Sequence, residues 1–176
     1  LPHVYEPITV ETWPGKTSRV AYPRSTIAYD AQGNELFRSI SLWVLMDVNT
    51  RAMILPGKSG ILLPGTLRGN ELPPPASLPA KELMNHRNRS VCFTDLDRNG
   101  HMNNTKYLDW IADLLPSEFH EMHSPSEFTI CYIAEALEGQ ELTLSWEFSQ
   151  EGILNLDSHR TNHEKTERIF SARLQY

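Results

Sequence analysis

The stretch of sequence that decides the fold runs from Thr94 to Trp110 and reads TDLDRNGHMNNTKYLDW. Apolar residues at helical spacing in its second half predict a helix from Asn103 to Leu115. Asn103 or Asn104 can cap the start of this helix, and Pro116 ends it. The first half is filled by polar residues, namely Asp95, Asp97, Asn99, His101, Asn103 and Asn104. These polar side chains therefore lie between a predicted strand and the N-terminus of the helix. The free backbone N–H groups at a helix N-terminus can polarise the carbonyl of a bound substrate.

Predicted strands lie on both sides of this stretch. Alternating apolar and polar residues, bounded by turn residues, predict strands before and after the helix. They cover residues 3–13, 19–29, 35–46, 86–94, 127–135, 141–148, 153–156 and 168–176. Gly33 and Asn34, between the second and third strands, are typical of a hairpin turn. We therefore expect an α+β fold whose first three strands form an antiparallel meander.

A segment rich in Pro and Gly separates two groups of strands. Six of the 12 prolines lie between Pro56 and Pro79, a composition that is not expected to hold a helix or a central strand. The predicted organisation is a strand meander over residues 1–55, a linker over 56–82 and a second domain over 83–176. ITVETW in the first part resembles ELTLSW in the last, which indicates two copies of one unit. The first copy lacks the helix and the opening strand, so Leu1 is expected to be a truncation point.

The composition is that of a folded soluble protein. The 176 residues are 40% hydrophobic and 22% charged, with a formal net charge of −6, which excludes disordered and collagen-like chains. The longest apolar run is far short of the roughly 20 residues that cross a bilayer. Cys92 and Cys131 lack metal-ligand spacing, so we expect reduced thiols in a cytoplasmic protein.

Charge is divided unevenly along the chain. Residues 1–110 hold 12 Lys or Arg against 10 Asp or Glu, and residues 111–176 hold 4 against 12. The acidic total and the absence of a basic cluster disfavour a nucleic-acid partner. An acidic protein could still dock on the first segment.

A calcium loop is one competing interpretation of the central stretch. Residues 95–100 read DLDRNG and match the first six positions of an EF-hand loop. The twelfth position of such a loop requires a bidentate Glu, but here it is Lys106. An ammonium group would repel the ion, so calcium binding is disfavoured.

The longer pattern D-x-N-x-H-x-N-N-x-x-Y starts at Asp97 and ends at Tyr107. It resembles the signature of the acyl-ACP thioesterases of bacteria and plant plastids. The resemblance adds a Glu on the following strand, and Glu135 stands at that position, 34 residues beyond His101. It implies a tandem hot-dog fold, in which an antiparallel sheet wraps a central helix, with the first copy incomplete.

The resemblance implies a hydrolytic site formed by Asp97, Asn99, His101 and Glu135. A thioester needs a base acting on water and donors for the oxyanion more than it needs a covalent nucleophile. His101 and Glu135 are the candidate bases. Asn99 can donate to the thioester oxygen or position the water, and Asp97 can accept from Asn99 or from the turn backbone. Glu135 is expected at the end of a strand, partly buried among apolar neighbours such as Ile133.

The expected reaction releases a free fatty acid from acyl carrier protein in fatty acid biosynthesis, with no metal or other cofactor and with a homodimer as the expected assembly. The carrier is acidic, so docking is expected on cations of the first segment, namely Arg87, Arg89, Arg98 and Lys106.

Two departures from the family are visible. Ala136 stands where plant members commonly carry Cys, which removes a thiolate mechanism at that position. The segment that forms the central helix of the first domain in the family is expected to be missing.

Three other interpretations stay open. The same scaffold could carry a hot-dog acyl-CoA thioesterase, or a dehydratase that uses His101 and Glu135 on an acyl thioester. A cysteine hydrolase would pair Cys131 with His101 and Asn99. A non-catalytic acyl-binding module would keep the fold without the chemistry.

Overall fold

The computed structural model describes residues 2–162 and 165–176. Leu1, the expected truncation point, lies outside them. The chain divides into two compact units, Leu1–Ala76 and Ser77–Tyr176. No helix in the described ranges is long and apolar enough to cross a membrane. The elements are β1 (Thr9–Pro14), β2 (Tyr22–Tyr29), β3 (Glu35–Trp43), β4 (Leu45–Met46), β5 (Met53–Ile54), α1 (Pro56–Ser59), β6 (Asn85–Ser90), α2 (Asn104–Ala112), α3 (Ser117–Met122), β7 (Glu127–Tyr132), β8 (Glu141–Phe148), β9 (Ile153–Asn162) and β10 (Lys165–Gln175).

The first unit contains the predicted antiparallel meander. β1 pairs with β2, and β2 pairs with β3. The hairpin between β2 and β3 turns through Gly33, whose φ is +85°. The Asp30 carboxylate accepts hydrogen bonds from the backbone N–H groups of Gln32 and Asn34. The predicted meander and its Gly-Asn turn are confirmed.

The first strand is shorter and more exposed than its sequence pattern predicts. β1 begins at Thr9 rather than at residue 3, and Tyr5 lies in a turn with a φ of +74°. Val10 is 52% exposed, whereas Trp13 is buried. The Arg68 guanidinium lies 4.2 Å from the centroid of the Trp13 ring. The predicted half-buried alternation is therefore wrong, because residues beyond the meander cover only part of this strand.

The segment rich in Pro and Gly contains one helical turn. α1 has a proline at its start, where the missing N–H needs no partner, and the left-handed Gly60 at its end. The expectation that this segment holds no helix is wrong. The Leu63 carbonyl accepts a hydrogen bond from the Thr17 N–H at 3.1 Å, which connects this segment to the loop between β1 and β2. The predicted domain limits at residues 55 and 82 stay a prediction.

The second unit is a five-stranded antiparallel sheet with a helix packed on it. The strand order is β6-β8-β9-β10-β7, so the chain leaves one edge of the sheet, forms α2 and re-enters at the other edge. One face of the sheet and the buried side of α2 form the core, which includes Tyr107, Trp110, Ile111, Leu142, Leu144, Leu154, Leu156, Ile169, Phe170, Ala172 and Leu174. This is the predicted arrangement of a sheet around a central helix.

The central helix begins at a predicted cap. Asn103 Oδ1 accepts a hydrogen bond from Thr105 N at 3.0 Å. The helix ends at Ala112, three residues earlier than predicted, and the sequence pattern did not predict α3. Trp110 is fully buried, but Leu108, one of the apolar positions behind the prediction, is 40% exposed. The buried face is therefore centred on Trp110.

The two units share one strand order. β1-β2-β3 and β8-β9-β10 are both antiparallel meanders, and the similar sequences ITVETW and ELTLSW fall on β1 and β8. In the second unit, β6 and β7 extend the meander on its two sides and α2 covers it. The described residues of the first unit form no counterpart of these three elements.

Candidate active site

A tight loop carries three of the four predicted site residues. The Asp97 carboxylate accepts hydrogen bonds from the backbone N–H groups of Asn99 at 2.8 Å and His101 at 3.3 Å. Its other oxygen lies 3.4 Å from Asn99 Nδ2. Burial opposes ionisation of the Asp97 carboxyl, but these hydrogen bonds outweigh it and lower its pKa. Gly100 makes the turn with a φ of +77°, a conformation that favours glycine.

The loop before the site is a short 3-10 turn rather than strand. The predicted strand 86–94 stops at Ser90, and residues from Phe93 to Asp95 form the turn. The buried Asp95 accepts a hydrogen bond from the Cys92 N–H at 3.0 Å. Its carbonyl accepts from the Asn103 N–H at 2.8 Å. Asp95 therefore connects the end of β6 to the start of α2.

Glu135 reaches the site on a loop. β7 ends three residues before it, because the N–H groups of Ile133 and Ala134 both donate to the carbonyl of Ile169, at 2.8 and 3.0 Å. Ile169 lies at an irregularity in the pairing of β9 with β10. Such a bulge disrupts the ladder and redirects the chain. The prediction that Glu135 ends a strand is therefore wrong.

A short β-bridge brings the two candidate bases together. His101 pairs with Leu137 in an isolated antiparallel bridge, and the Met102 N–H donates to the Ala136 carbonyl at 2.8 Å. As a result, His101 Nε2 lies 3.4 Å from Glu135 Oε2. Backbone contacts between the loop of the central motif and the loop after β7 therefore hold His101 and Glu135 side by side.

The two members of the pair differ in exposure. The side chain of His101 is 17% exposed and that of Glu135 is 46% exposed. Ile133, expected among the buried neighbours of Glu135, is 47% exposed, so the predicted apolar burial is wrong. An imidazole and a carboxylate at this separation, one of them open to solvent, can bind a water molecule and take its proton.

Tyr107, the last residue of the motif, packs against the loop that carries Glu135. Its ring centroid lies 4.6 Å from that of Phe170 and 5.4 Å from that of Tyr132. Burial, reinforced by Tyr132, raises the pKa of Tyr107 to about 12, although a hydrogen bond with the Ala136 backbone opposes this shift. Tyr107 is therefore neutral at physiological pH and supports the backbone next to Glu135.

Two polar side chains near Glu135 were not predicted from the sequence. Arg160 Nη1 donates to the Glu135 carbonyl at 3.2 Å. Gln140 Oε1 accepts from the Leu137 N–H at 2.9 Å. Arg160 lies on β9 and no motif links it to the site, so its only sequence signal is a cation in a strongly acidic segment.

Three of the four cations predicted to dock the carrier already hydrogen-bond to aspartates of the second unit. Arg87 and Arg89 both donate to Asp113, through its carbonyl at 2.9 Å and its carboxylate at 2.5 Å. Lys106 Nζ donates to Asp109 Oδ2 at 3.1 Å. The carboxylates of Asp113 and Asp109, which pair with Arg89 and Lys106, reduce the net positive charge of the predicted docking surface.

The two cysteines are free thiols, with Cys92 exposed and Cys131 of intermediate exposure. Within residues 2–162 and 165–176, no three His, Cys, Asp or Glu side chains are grouped so as to hold a metal ion. The carboxylate of Glu135 lies beside the His101 imidazole.

Comparison with protein families decides the identity. Residues 79–176 match the family model described as the acyl-ACP thioesterase C-terminal domain, and residues 1–55 match the model of the N-terminal domain. The chain belongs to the acyl-ACP thioesterase family. The resemblance predicted from the central motif is confirmed, and all four predicted site residues of this acyl-ACP thioesterase family member fall within the C-terminal match.

Curated relatives include chloroplastic enzymes of plants. The palmitoyl-acyl carrier protein thioesterase of Gossypium hirsutum is 26% identical over 168 residues, which are 89% of this chain and 41% of the relative. The dodecanoyl-[acyl-carrier-protein] hydrolase of Cinnamomum camphora is 29% identical over 137 residues, which are 73% and 36%. The chain thus spans about two fifths of the length of these relatives.

Solved structures share the fold. An acyl-ACP thioesterase from Bacteroides thetaiotaomicron superposes with a TM-score of 0.74 at 22% identity, over 97% of this chain and 69% of that chain. The 12:0-ACP thioesterase from Umbellularia californica gives a TM-score of 0.75 at 24% identity, over 96% and 66%. The predicted α+β hot-dog fold is therefore confirmed.

Proposed function

We propose that the protein hydrolyses acyl-ACP, releasing a free fatty acid and the carrier's phosphopantetheine thiol. The observation that carries this proposal is the 3.4 Å separation of His101 Nε2 from Glu135 Oε2. The names of the relatives support the substrate class, since those proteins are palmitoyl-, dodecanoyl- and oleoyl-acyl carrier protein thioesterases or hydrolases.

In the proposed reaction, a water molecule held by His101 and Glu135 attacks the carbonyl carbon of the thioester. The proton of the water passes to the pair, and a tetrahedral oxyanion forms. The C–S bond then breaks, and the departing thiolate takes the proton from the pair. The fatty acid and the thiol leave, and the pair returns to its starting state without a covalent acyl-enzyme.

Asp97, Asn99 and the start of α2 assist this reaction in our proposal. Asn99 is exposed two residues before His101, and its amide can donate to the developing oxyanion. Asp97 holds the backbone of both residues through its carboxylate. The N-terminus of α2 contributes positive potential to the same region.

Hydrolysis of a chain-length series of acyl-ACP substrates tests the proposal. The chain should release fatty acid, and His101→Ala should lower kcat by about 10²–10⁴-fold, the usual contribution of a general base. His120→Ala, which removes an exposed histidine on α3, serves as the matched control and should retain activity. Acyl-ACP turnover that His101→Ala leaves unchanged would contradict the proposal.

The same assay separates the alternatives. Faster turnover of the same acyl chain on CoA indicates an acyl-CoA thioesterase, and hydration of an enoyl thioester indicates a dehydratase. Cys131→Ser should leave activity near normal here and abolish it in a cysteine hydrolase. Acyl binding without turnover indicates a non-catalytic module.

We also propose that the acidic carrier docks on cations of residues 1–110, with Arg87, Arg89, Arg98 and Lys106 as candidates, of which Arg98 is exposed. Carrier affinity that does not fall with salt would contradict this. The homodimer and the cytoplasmic location are further proposals. Sedimentation velocity and cell fractionation test them.

A further inference from the structure

Arg160 makes three contacts around the loop that carries Glu135. Its Nη1 donates to the Glu135 carbonyl at 3.2 Å and also to Gln140 Oε1. Its Nη2 forms an ion pair with Glu167, the residue opposite it on β10. The Arg160 side chain is 13% exposed, so the guanidinium is anchored to the sheet and largely shielded from solvent.

Gln140 extends this contact to the other side of the loop. Its Oε1 accepts from Arg160 and also from the Leu137 N–H, at 2.9 Å. Leu137 in turn forms the bridge with His101. The guanidinium therefore ties together the backbone of Glu135 and the residue that pairs with His101.

The peptide between Glu135 and Ala136 is thus supported from two directions. Arg160 holds its carbonyl, and Tyr107 lies in hydrogen-bond contact with the Ala136 backbone. β7 has already ended, so no strand ladder fixes Glu135 itself. A planar guanidinium can donate in two directions at once, which a Lys ammonium does with less geometric precision.

We infer that Arg160 is a positioning residue, which fixes the Glu135 carboxylate at its distance from His101 by clamping the loop backbone. This inference rests on the proposed function, since it assigns Arg160 a part in the same hydrolysis. In this role Arg160 acts through the backbone of Glu135.

Kinetics of Arg160→Gln on acyl-ACP test the inference. Displacement of a catalytic group by about 1 Å can cost about 100-fold in rate, so kcat should fall by about 10- to 100-fold while KM stays within about twofold. Arg160→Lys should retain an intermediate kcat. Arg173→Gln is the matched control, because Arg173 also forms a cross-strand ion pair, with Glu127 at 3.7 Å, in the same sheet. It should leave kcat unchanged.

A double variant distinguishes positioning from general weakening of the fold. If Arg160 acts through Glu135, adding Arg160→Gln to Glu135→Gln should cost no further activity. A multiplicative loss in the double variant would overturn the inference. So would a wild-type kcat in Arg160→Gln.

Hydrogen exchange keeps the inference testable if the chain proves not to hydrolyse acyl-ACP. Arg160→Gln should speed exchange at the Leu137 amide while the β8–β9 ladder keeps its protection. Unchanged exchange at Leu137 would overturn the clamp, whereas faster exchange in a chain without turnover would contradict only the proposed function.

Discussion

Replacement of Glu135 by Gln is the sharpest test of the catalytic pair. Gln keeps the size of the side chain and can still contact His101, but its amide cannot take a proton from water. General-base catalysis contributes about 10²–10⁴-fold. We therefore expect kcat for acyl-ACP hydrolysis to fall by at least about 100-fold.

The same substitution should leave stability almost unchanged. Even with His101 protonated, two unit charges 3.4 Å apart attract by only about 1 kcal/mol in water, which is an upper limit for the pair. Glu135 is 46% exposed, so solvent screens the pair, and exposed pairs contribute about 0.2–1 kcal/mol. The hydrogen bonds of Ala134 and Ala136 that shape the loop use backbone atoms and survive the change. The free energy of unfolding should therefore fall by less than about 1 kcal/mol.

Single-turnover release of labelled fatty acid from acyl-ACP and urea unfolding of the same preparations measure the two quantities. Glu138→Gln is the control, because it removes another exposed carboxylate from the same loop. It should keep wild-type activity. A wild-type rate in Glu135→Gln would refute the reasoning, and equal losses in both variants would attribute the effect to loop charge instead.

Two further predictions concern the support of the site. Trp110 is fully buried and its Nε1 has no hydrogen-bond partner among the described residues; Trp110→Ala should cost about 3–5 kcal/mol of unfolding free energy. Trp110→Phe should cost only about 1 kcal/mol, because removing the unsatisfied indole N–H offsets part of the free-energy cost of the smaller ring. Urea unfolding of both variants measures this difference. The pKa of the Asp97 carboxyl is lower in the folded state than its ordinary value of 3.8. The ionised carboxylate therefore stabilises the fold above pH 3.8, and this stabilisation is lost as the pH falls through the pKa of the folded state. The stability difference between wild type and Asp97→Ala should accordingly be largest near neutral pH and shrink below pH 3.8, and a pH-independent difference would contradict the role of the carboxylate.

The elements that depend on near neighbours in the chain were predictable. The Asn103 cap, the Gly33 hairpin and the bounds of β8 follow from side chains that hydrogen-bond or alternate within a few residues. The loop from Asp97 to His101 belongs with them, because its hydrogen bonds join residues two to four positions apart. Sequence failed where exposure depended on distant covering residues, as at Val10 and Ile133.

The sequence by itself determined that a histidine would stand in a stiff turn before a capped helix, since every contact that builds this turn is local. The resemblance to the family named Glu135 as the partner, but only the tertiary structure brings its carboxylate to face His101. The Ile169 carbonyl ends β7 early, and the bridge to Leu137 then delivers Glu135 to His101. Arg160 joins the loop from a strand 25 residues further along the chain. Such contacts depend on the folded sheet bringing distant backbone groups within hydrogen-bond reach, and no local pattern of residue types encodes them.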